Sequence, residues 1–170
     1  MKNIKYQIAR FLAKITKNDE QYAKFFRSEG IKIGKGSHIY SNIVTAESFL
    51  IEIGDEVTIS SDVVFVTHDN SVIKIDPTKP NLFGKIKIGN NCFIGQRSTL
   101  LYGITLADNI IVAAGSVVTK SFEESNIIIG GNPARKISTF EKMSLSLDKA
   151  LSRKNIKNVL EQNPDKLVRR

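Results

Sequence analysis

Residues 86–120 read IKIGNNCFIGQRSTLLYGITLADNIIVAAGSVVTK, and an aliphatic side chain returns in them every six positions: Ile88, Ile94, Leu100, Leu106, Val112 and Val118. A fixed short period is the mark of a repeat architecture. Working back toward the N-terminus, the same spacing takes in Ile33 and Ile39, then Ile53, Ile59 and a weaker Phe65. Gly or Ala usually follows the aliphatic residue (Gly34, Gly54, Gly89, Gly95, Ala107, Ala113). A small or β-branched residue often stands four positions after it (Ser37, Val57, Val63, Cys92, Ser98, Ser116). Each hexapeptide is then one short strand and a turn with two inward positions, the aliphatic one at the axis and the small one in the corner. Three sides close a triangular coil, and coils stack by parallel strand pairing so that their aliphatic residues form ladders. An α/β domain is excluded, because it needs helices of about ten or more residues between parallel strands and none fits between residues 85 and 123. The expected class is an all-β solenoid.

Three sides of six make a layer of eighteen residues. Ile33 to Ile53 is twenty, which reads as one coil with two residues inserted around Thr45 to Glu52. Phe65 to Ile88 is twenty-three, which reads as a coil plus five.

The rest of the composition narrows the function. At 170 residues the chain fits one domain with appendages. No stretch reaches the roughly 20 apolar residues of a membrane span, and the opening MKNIKYQIARFLAKITKNDEQ carries charges where a signal peptide needs an apolar centre, so a cytoplasmic protein is expected. The single cysteine, Cys92, has no partner for an internal disulfide. The net charge of +8 is unevenly placed. Residues 1–30 hold seven basic and three acidic groups, 31–135 nine and ten, and 136–170 nine and four. Without an aromatic and basic platform in the middle, nucleic acid is not an expected partner.

Together with NIIIGGNPARKI at 126–137, the repeat resembles the hexapeptide-repeat acyltransferases, in the branches of sugar O-acetyltransferases and xenobiotic acetyltransferases, over roughly residues 27 to 137. The closing AAGSVVTK and GNPARK carry the resemblance most specifically, while Ala107 and Ala113 replace common glycines and Tyr102 stands where a proline often precedes Gly103. The resemblance implies a left-handed parallel β-helix, a homotrimer with active sites between neighbouring subunits, and acetyl-CoA as donor. It implies that a hydroxyl of a sugar, in a surface glycan or its precursor, is the acceptor. N-acetylation of an amino sugar, acetylation of a xenobiotic alcohol and a non-catalytic scaffold are the alternatives.

Moving an acetyl group from a thioester to a hydroxyl requires a base for the hydroxyl proton and donors for the carbonyl oxygen. Only His38 and His68 exist. The resemblance gives the base role to His68, in FVTHDN, where the last regular strand meets an irregular segment. His38 is expected at a turn, without function. Asp69 is expected to orient the base or bind the acceptor; its structural alternative is a turn with Asn70. The resemblance places Gln96, Ala114, Thr119 and Lys120 along the pantetheine arm, and Arg135 and Lys136 at the phosphates, where arginine can grip through two bonds. Cys92 occupies a small inward position, where burial keeps a thiol inert, so direct transfer without an acyl-enzyme is expected. No metal is expected, since the zinc enzymes of similar fold use three histidines.

The expected organisation is a helical cap at 1–30, the β-helix at 31–137 with a loop at 70–84, and a basic helical segment at 138–170. Ile4, Ile8, Phe11, Leu12 and Ile15 share a helical face expected to pack on the solenoid, continued by Tyr22, Phe25 and Phe26. Phe140, Met143, Leu147 and Leu151 repeat the pattern. Attachment of the basic ends to an anionic membrane, or to another enzyme of a surface-glycan pathway, is the alternative to packing. The loop NSVIKIDPTKPNLFG lacks the code and holds Pro77 and Pro80; acceptor choice is expected there.

Overall fold

The computed structural model describes residues 4, 6–9, 11, 20–145 and 156–162. A six-residue repeat leaves little extended backbone between turns, and most strands are two or three residues long. The first sheet orders β1 (Lys32–Ile33), β3 (Ile51–Ile53), β8 (Ile86–Ile88) and β11 (Ile104–Leu106). The second runs from β2 (His38–Ile39) through β4 (Thr58–Ile59), β9 (Phe93–Ile94), β12 (Ile110–Val112) and β14 (Ile127–Gly131) to β15 (Ala134–Thr139). The third orders β5 (Val64–Phe65), β10 (Thr99–Leu100) and β13 (Val117–Val118). Pairing from β1 to β14 within these sheets is parallel. From β3 to β5 and again from β8 to β13 the chain visits the three sheets in rotation, the latter run making two uninterrupted rounds.

The register turns the six-residue code into columns. Ile33, Ile53, Ile88 and Leu106 align in the first sheet, Ile39, Ile59, Ile94, Val112 and Ile129 in the second, and Phe65, Leu100 and Val118 in the third. All are buried except Ile33, which is partly so. The small inward residues are buried as well, and their polar atoms find carbonyls on the neighbouring round: Ser37 Oγ donates to Gly54 O (2.8 Å), Ser98 Oγ to Ala113 O (3.1 Å) and Cys92 Sγ to Ala107 O (3.2 Å). Rounds lie so close that a Cβ on Gly95 would sit 2.5 Å from the Ala114 nitrogen. The corners turn through one residue at positive φ each, Gly36, Glu56, Asn91 and Asn109 between the first and second sheets and Asp62, Arg97 and Gly115 between the second and third.

One interruption fits its sequence reading and one does not. Lys32 pairs with Glu52, twenty residues on, and the two extra residues belong to a stretch ending in a 3-10 turn at Ser48–Leu50. The expected coil plus five before Ile88 is corrected: Ile88 aligns with Ile53 in the first sheet, whereas Phe65 aligns with Leu100 in the third. Thr99 pairs with Val64 thirty-five residues back, one round of eighteen plus seventeen inserted residues. A period shared by all three sides cannot reveal which side a repeat occupies.

Contacts divide the chain into two compact units, Met1–Ile137 and Ser138–Arg170. In the first, α1 (Glu20–Ser28) packs on β1 and β2 and buries Ala23 and Phe26. Arg27 donates from Nε to Ile33 O (2.9 Å) and from Nη2 to Gly34 O (2.7 Å), satisfying carbonyls at the open edge of the first sheet. The helical residues before it bury a different face from the expected one. Tyr6 and Ala9 are buried, with the Tyr6 ring centroid 6.0 to 6.1 Å from those of Tyr22, Phe25 and Phe26, while Ile4, Ile8 and Phe11 are exposed. An aromatic ring that completes an aromatic cluster has displaced the aliphatic stripe from the interior. Leu12 and Ile15 lie outside the described residues. In the second unit, Thr139 caps α2 (Phe140–Ser144) by accepting from the Lys142 amide (3.3 Å), Met143 is exposed, and α3 spans Ile156–Gln162. Leu147 and Leu151 lie outside the described residues.

The outward positions differ by side. The first sheet carries Lys32, Glu52 and Lys87 in register, with Glu52 bonded to Lys32 Nζ (2.9 Å) and Lys85 Nζ (3.0 Å); Lys32, then Lys85, hold its carboxyl at about 2. The third carries Val64, Thr99 and Val117, and the second His38, Thr58, Phe93 and Ile111, none of them acidic, lysine or arginine.

Candidate active site

His68 opens β6 (His68–Asp69), which pairs antiparallel with β7 (Leu82–Phe83) and so closes the base of the loop at 70–84. The His68 ring is exposed and lies 5.8 Å from the Phe83 ring. The returning strand is tied by the Gly84 amide, which donates to Thr67 O (3.1 Å). A Cβ on Gly84 would come 2.4 Å from the Gly103 nitrogen, so the loop ends in backbone contact with the Tyr102–Gly103 turn.

His68 Nδ1 is 2.9 Å from Oε2 of Glu47, whose side chain is 17% exposed. The same oxygen accepts from Thr67 Oγ1 (2.7 Å) and Thr45 Oγ1 (3.2 Å). These bonds hold the Glu47 carboxyl below its ordinary value, Thr67 contributing most, against partial desolvation and with help from His68. An ionised carboxylate only accepts, so the shared hydrogen belongs to Nδ1 and the lone pair to Nε2, which has no partner among the described residues. Glu47 was not among the residues expected from sequence. The signal that marked it was the two-residue interruption around Thr45 to Glu52, which extends the chain far enough to reach the next round at Thr67 and His68.

Asp69, expected to orient the base or bind the acceptor, has its carboxylate turned elsewhere. Its Oδ1 accepts from the Ser71 amide (2.8 Å), and the Tyr102 hydroxyl lies 3.4 Å from its Oδ2. The Ser71 amide is the main cause of its lowered pKa. The carboxylate bonded to His68 is thus that of Glu47 and not that of Asp69, because neighbours along a strand point to opposite sides. His38 is likewise corrected: it lies in β2 rather than at a turn, with its ring stacked on Tyr40 at 6.3 Å and 6°.

Gln96 and Ala114 line one groove with Tyr40, Ser60, Ser61 and Phe93, at the bend between the second and third sheets. The Gly115 amide donates to Gln96 O (2.8 Å), fixing the two rounds in register. Thr119 and Lys120 follow β13 and are exposed, with Lys120 Nζ 5.6 Å from the Phe122 ring centroid. Arg135 and Lys136 are neighbours on β15, at the far edge of the second sheet. Lys136 is ion-paired with Glu124, while Arg135 Nη1 donates to Ala134 O (2.9 Å). Gln96 and Ala114 precede the third-sheet strands β10 and β13, whereas His68 follows β5, so one chain sets His68 and this groove beyond opposite ends of the third sheet's strands.

Cys92 is buried, and burial raises its thiol pKa. Among the described residues, no group of three or more His, Cys, Asp or Glu side chains could hold a metal ion, and no helix is long and apolar enough to cross a membrane.

Residues 85–120 match the family model described as the hexapeptide repeat of succinyl-transferase. Protein CapG of Staphylococcus aureus is 40% identical over 120 residues, covering 68% of this chain and 69% of its own. The chain belongs to the hexapeptide-repeat acyltransferase family. The galactoside O-acetyltransferase of Escherichia coli K12 is 30% identical over 114 residues, 66% of this chain and 56% of that one. Among solved structures, a hexapeptide-repeat acetyltransferase of Vibrio cholerae complexed with acetyl-CoA shares the fold at a TM-score of 0.56, with 21% identity over 72% of this chain and 78% of that one.

Proposed function

We propose that this chain is an acetyl-CoA-dependent O-acetyltransferase whose acceptor is a sugar hydroxyl, with His68 as general base. The observation that carries the reading is the bond from His68 Nδ1 to Glu47, which fixes the tautomer and leaves the Nε2 lone pair available. Nε2 takes the proton of the acceptor hydroxyl as the hydroxyl oxygen attacks the thioester carbonyl, the C–S bond breaks, and the same proton passes from Nε2 to the sulfur so that coenzyme A leaves as the thiol. The relative named galactoside O-acetyltransferase and the neighbour bound to acetyl-CoA support the choice of reaction. Asp69, held at the loop base by Ser71 and Tyr102, is assigned to the acceptor side.

The sheets close as a left-handed parallel β-helix, flanked by a cap at 1–30 and a basic segment at 138–170, and three copies assemble in the cytoplasm. Outward positions without acidic, lysine or arginine side chains along the third sheet, and along the second sheet from β2 to β12, favour burial between copies, and the charged first sheet favours solvent. Assembly also answers the separation of His68 from Gln96 and Ala114: the base of one copy meets the donor groove of its neighbour.

The test is release of free thiol from acetyl-CoA with sugars and amino sugars as acceptors, on protein sedimenting at three times 18.9 kDa. Release with hydroxyl acceptors and an O-acetyl product is expected. Release with amino sugars alone would move the reading to N-acetylation, and neither release nor acetyl-CoA binding would leave a scaffold.

Arg135 and Lys136 are assigned to the donor phosphates, with Thr119 and Lys120 along the arm. Because Glu124 already engages Lys136, Arg135 supplies the larger share. Arg135→Ala should raise the apparent constant for acetyl-CoA by about tenfold, the scale of one charge-assisted bond, and leave that for the acceptor unchanged. Adding Lys136→Ala should cost less again. If the double variant still prefers acetyl-CoA over a donor lacking the 3′-phosphate as strongly as the parent does, that assignment fails.

A further inference from the structure

The helical residues before α1 present the wrong face to the protein for a simple cap. Ile4, Ile8 and Phe11 are 65%, 53% and 63% exposed, whereas Tyr6 and Ala9 are 8% exposed. At about 100° per residue the three exposed side chains fall within a wedge of roughly 60°, and Tyr6 and Ala9 lie on the opposite side. Gln7 joins the three in lining one open apolar surface. The order of preference is inverted: the aliphatic stripe faces out while a tyrosine and an alanine fill the contact with α1.

The charge of the same stretch says what would cover it. Residues 1–18 contain Lys2, Lys5, Arg10, Lys14 and Lys17, and no acidic residue occurs before Asp19. A second protein surface would satisfy the apolar stripe without calling for the five cations that the sequence of residues 1–18 holds. An anionic lipid surface satisfies both, since its acyl boundary takes aliphatic and aromatic side chains while its headgroups attract lysine and arginine. We propose that this segment is an interfacial helix that rests the protein on an anionic membrane, with Ile4, Ile8 and Phe11 as its inserted face. The inference goes beyond the catalytic reading and does not depend on it.

Co-sedimentation of the full chain with vesicles tests it. Vesicles of phosphatidylcholine containing about one third phosphatidylglycerol should carry the protein down, pure phosphatidylcholine should not, and added salt should weaken the capture. Ile8→Asp with Phe11→Asp should lower the bound fraction at least about tenfold. These side chains are exposed, so the melting temperature and the thiol release in free solution should stay at the parent's values. Equal sedimentation with both vesicle types, or equal capture of parent and variant, overturns the proposal. A drop in sedimentation mass of the variant without lipid would assign the face to a second copy instead and overturn it as well.

Discussion

Glu47→Gln should slow acetyl transfer by at least about tenfold while leaving the sedimentation mass and the affinity for acetyl-CoA near those of the parent. The substitution keeps the shape and removes the charge. Oε2 of Glu47 accepts from His68 Nδ1 and Thr67 Oγ1 at once. An amide offers one acceptor and one donor, and its donor can bond an unprotonated Nδ1, which would move the ring hydrogen to Nε2 and block the base. Glu47→Asp retains the carboxylate and should recover part of the rate. The carboxyl is held below its ordinary value of 4.5. Any stability it adds is therefore present above that value and is lost as pH falls through the lower folded one. The stability difference between parent and Glu47→Gln should thus shrink in acid, below pH 4.5, and be constant around neutrality. A rate for Glu47→Gln equal to the parent's would remove Glu47 from the mechanism.

The parallel stacking of short strands was legible in the sequence because its packing period is written in side-chain size. Ile94 and Val112 stand eighteen residues apart, the spacing of one round, and share a column with Ile39 and Ile59. Ser37, Cys92 and Ser98, small and inward by count, are buried with their polar atoms on carbonyls. What the period could not state was the side on which Ile88 falls after the long insertion, since all three sides obey the same rule.

The site was half legible. His68 stood out as one of two histidines, at the end of the regular code. Glu47 did not, because its bond to His68 spans twenty-one residues and joins two interruptions of the code rather than two of its repeats. Asp69 looked the better partner by adjacency, yet adjacency along a strand separates side chains. The N-terminal stripe misled in another way. Periodicity found the amphipathic face correctly, but an aromatic cluster of Tyr6, Tyr22, Phe25 and Phe26 decided which face turned inward.

His68→Ala should lose on the order of a hundredfold or more of acetyl transfer, the scale for removing a positioned base from a reaction that must deprotonate a hydroxyl at neutral pH. The side chain is 44% exposed and outside the buried ladders, so its removal leaves their packing intact. Melting temperature and acetyl-CoA affinity should stay at the parent's values, which separates lost chemistry from lost structure. His38→Ala is the matched control, since its ring stacks on Tyr40 and has no part in the proton transfer. Turnover of His68→Ala at saturating substrates, beside the parent and His38→Ala in verified trimers, is the most direct measurement. The account predicts near-parent turnover in His38→Ala and near-complete loss in His68→Ala with acetyl-CoA still bound; near-parent turnover in His68→Ala would contradict it.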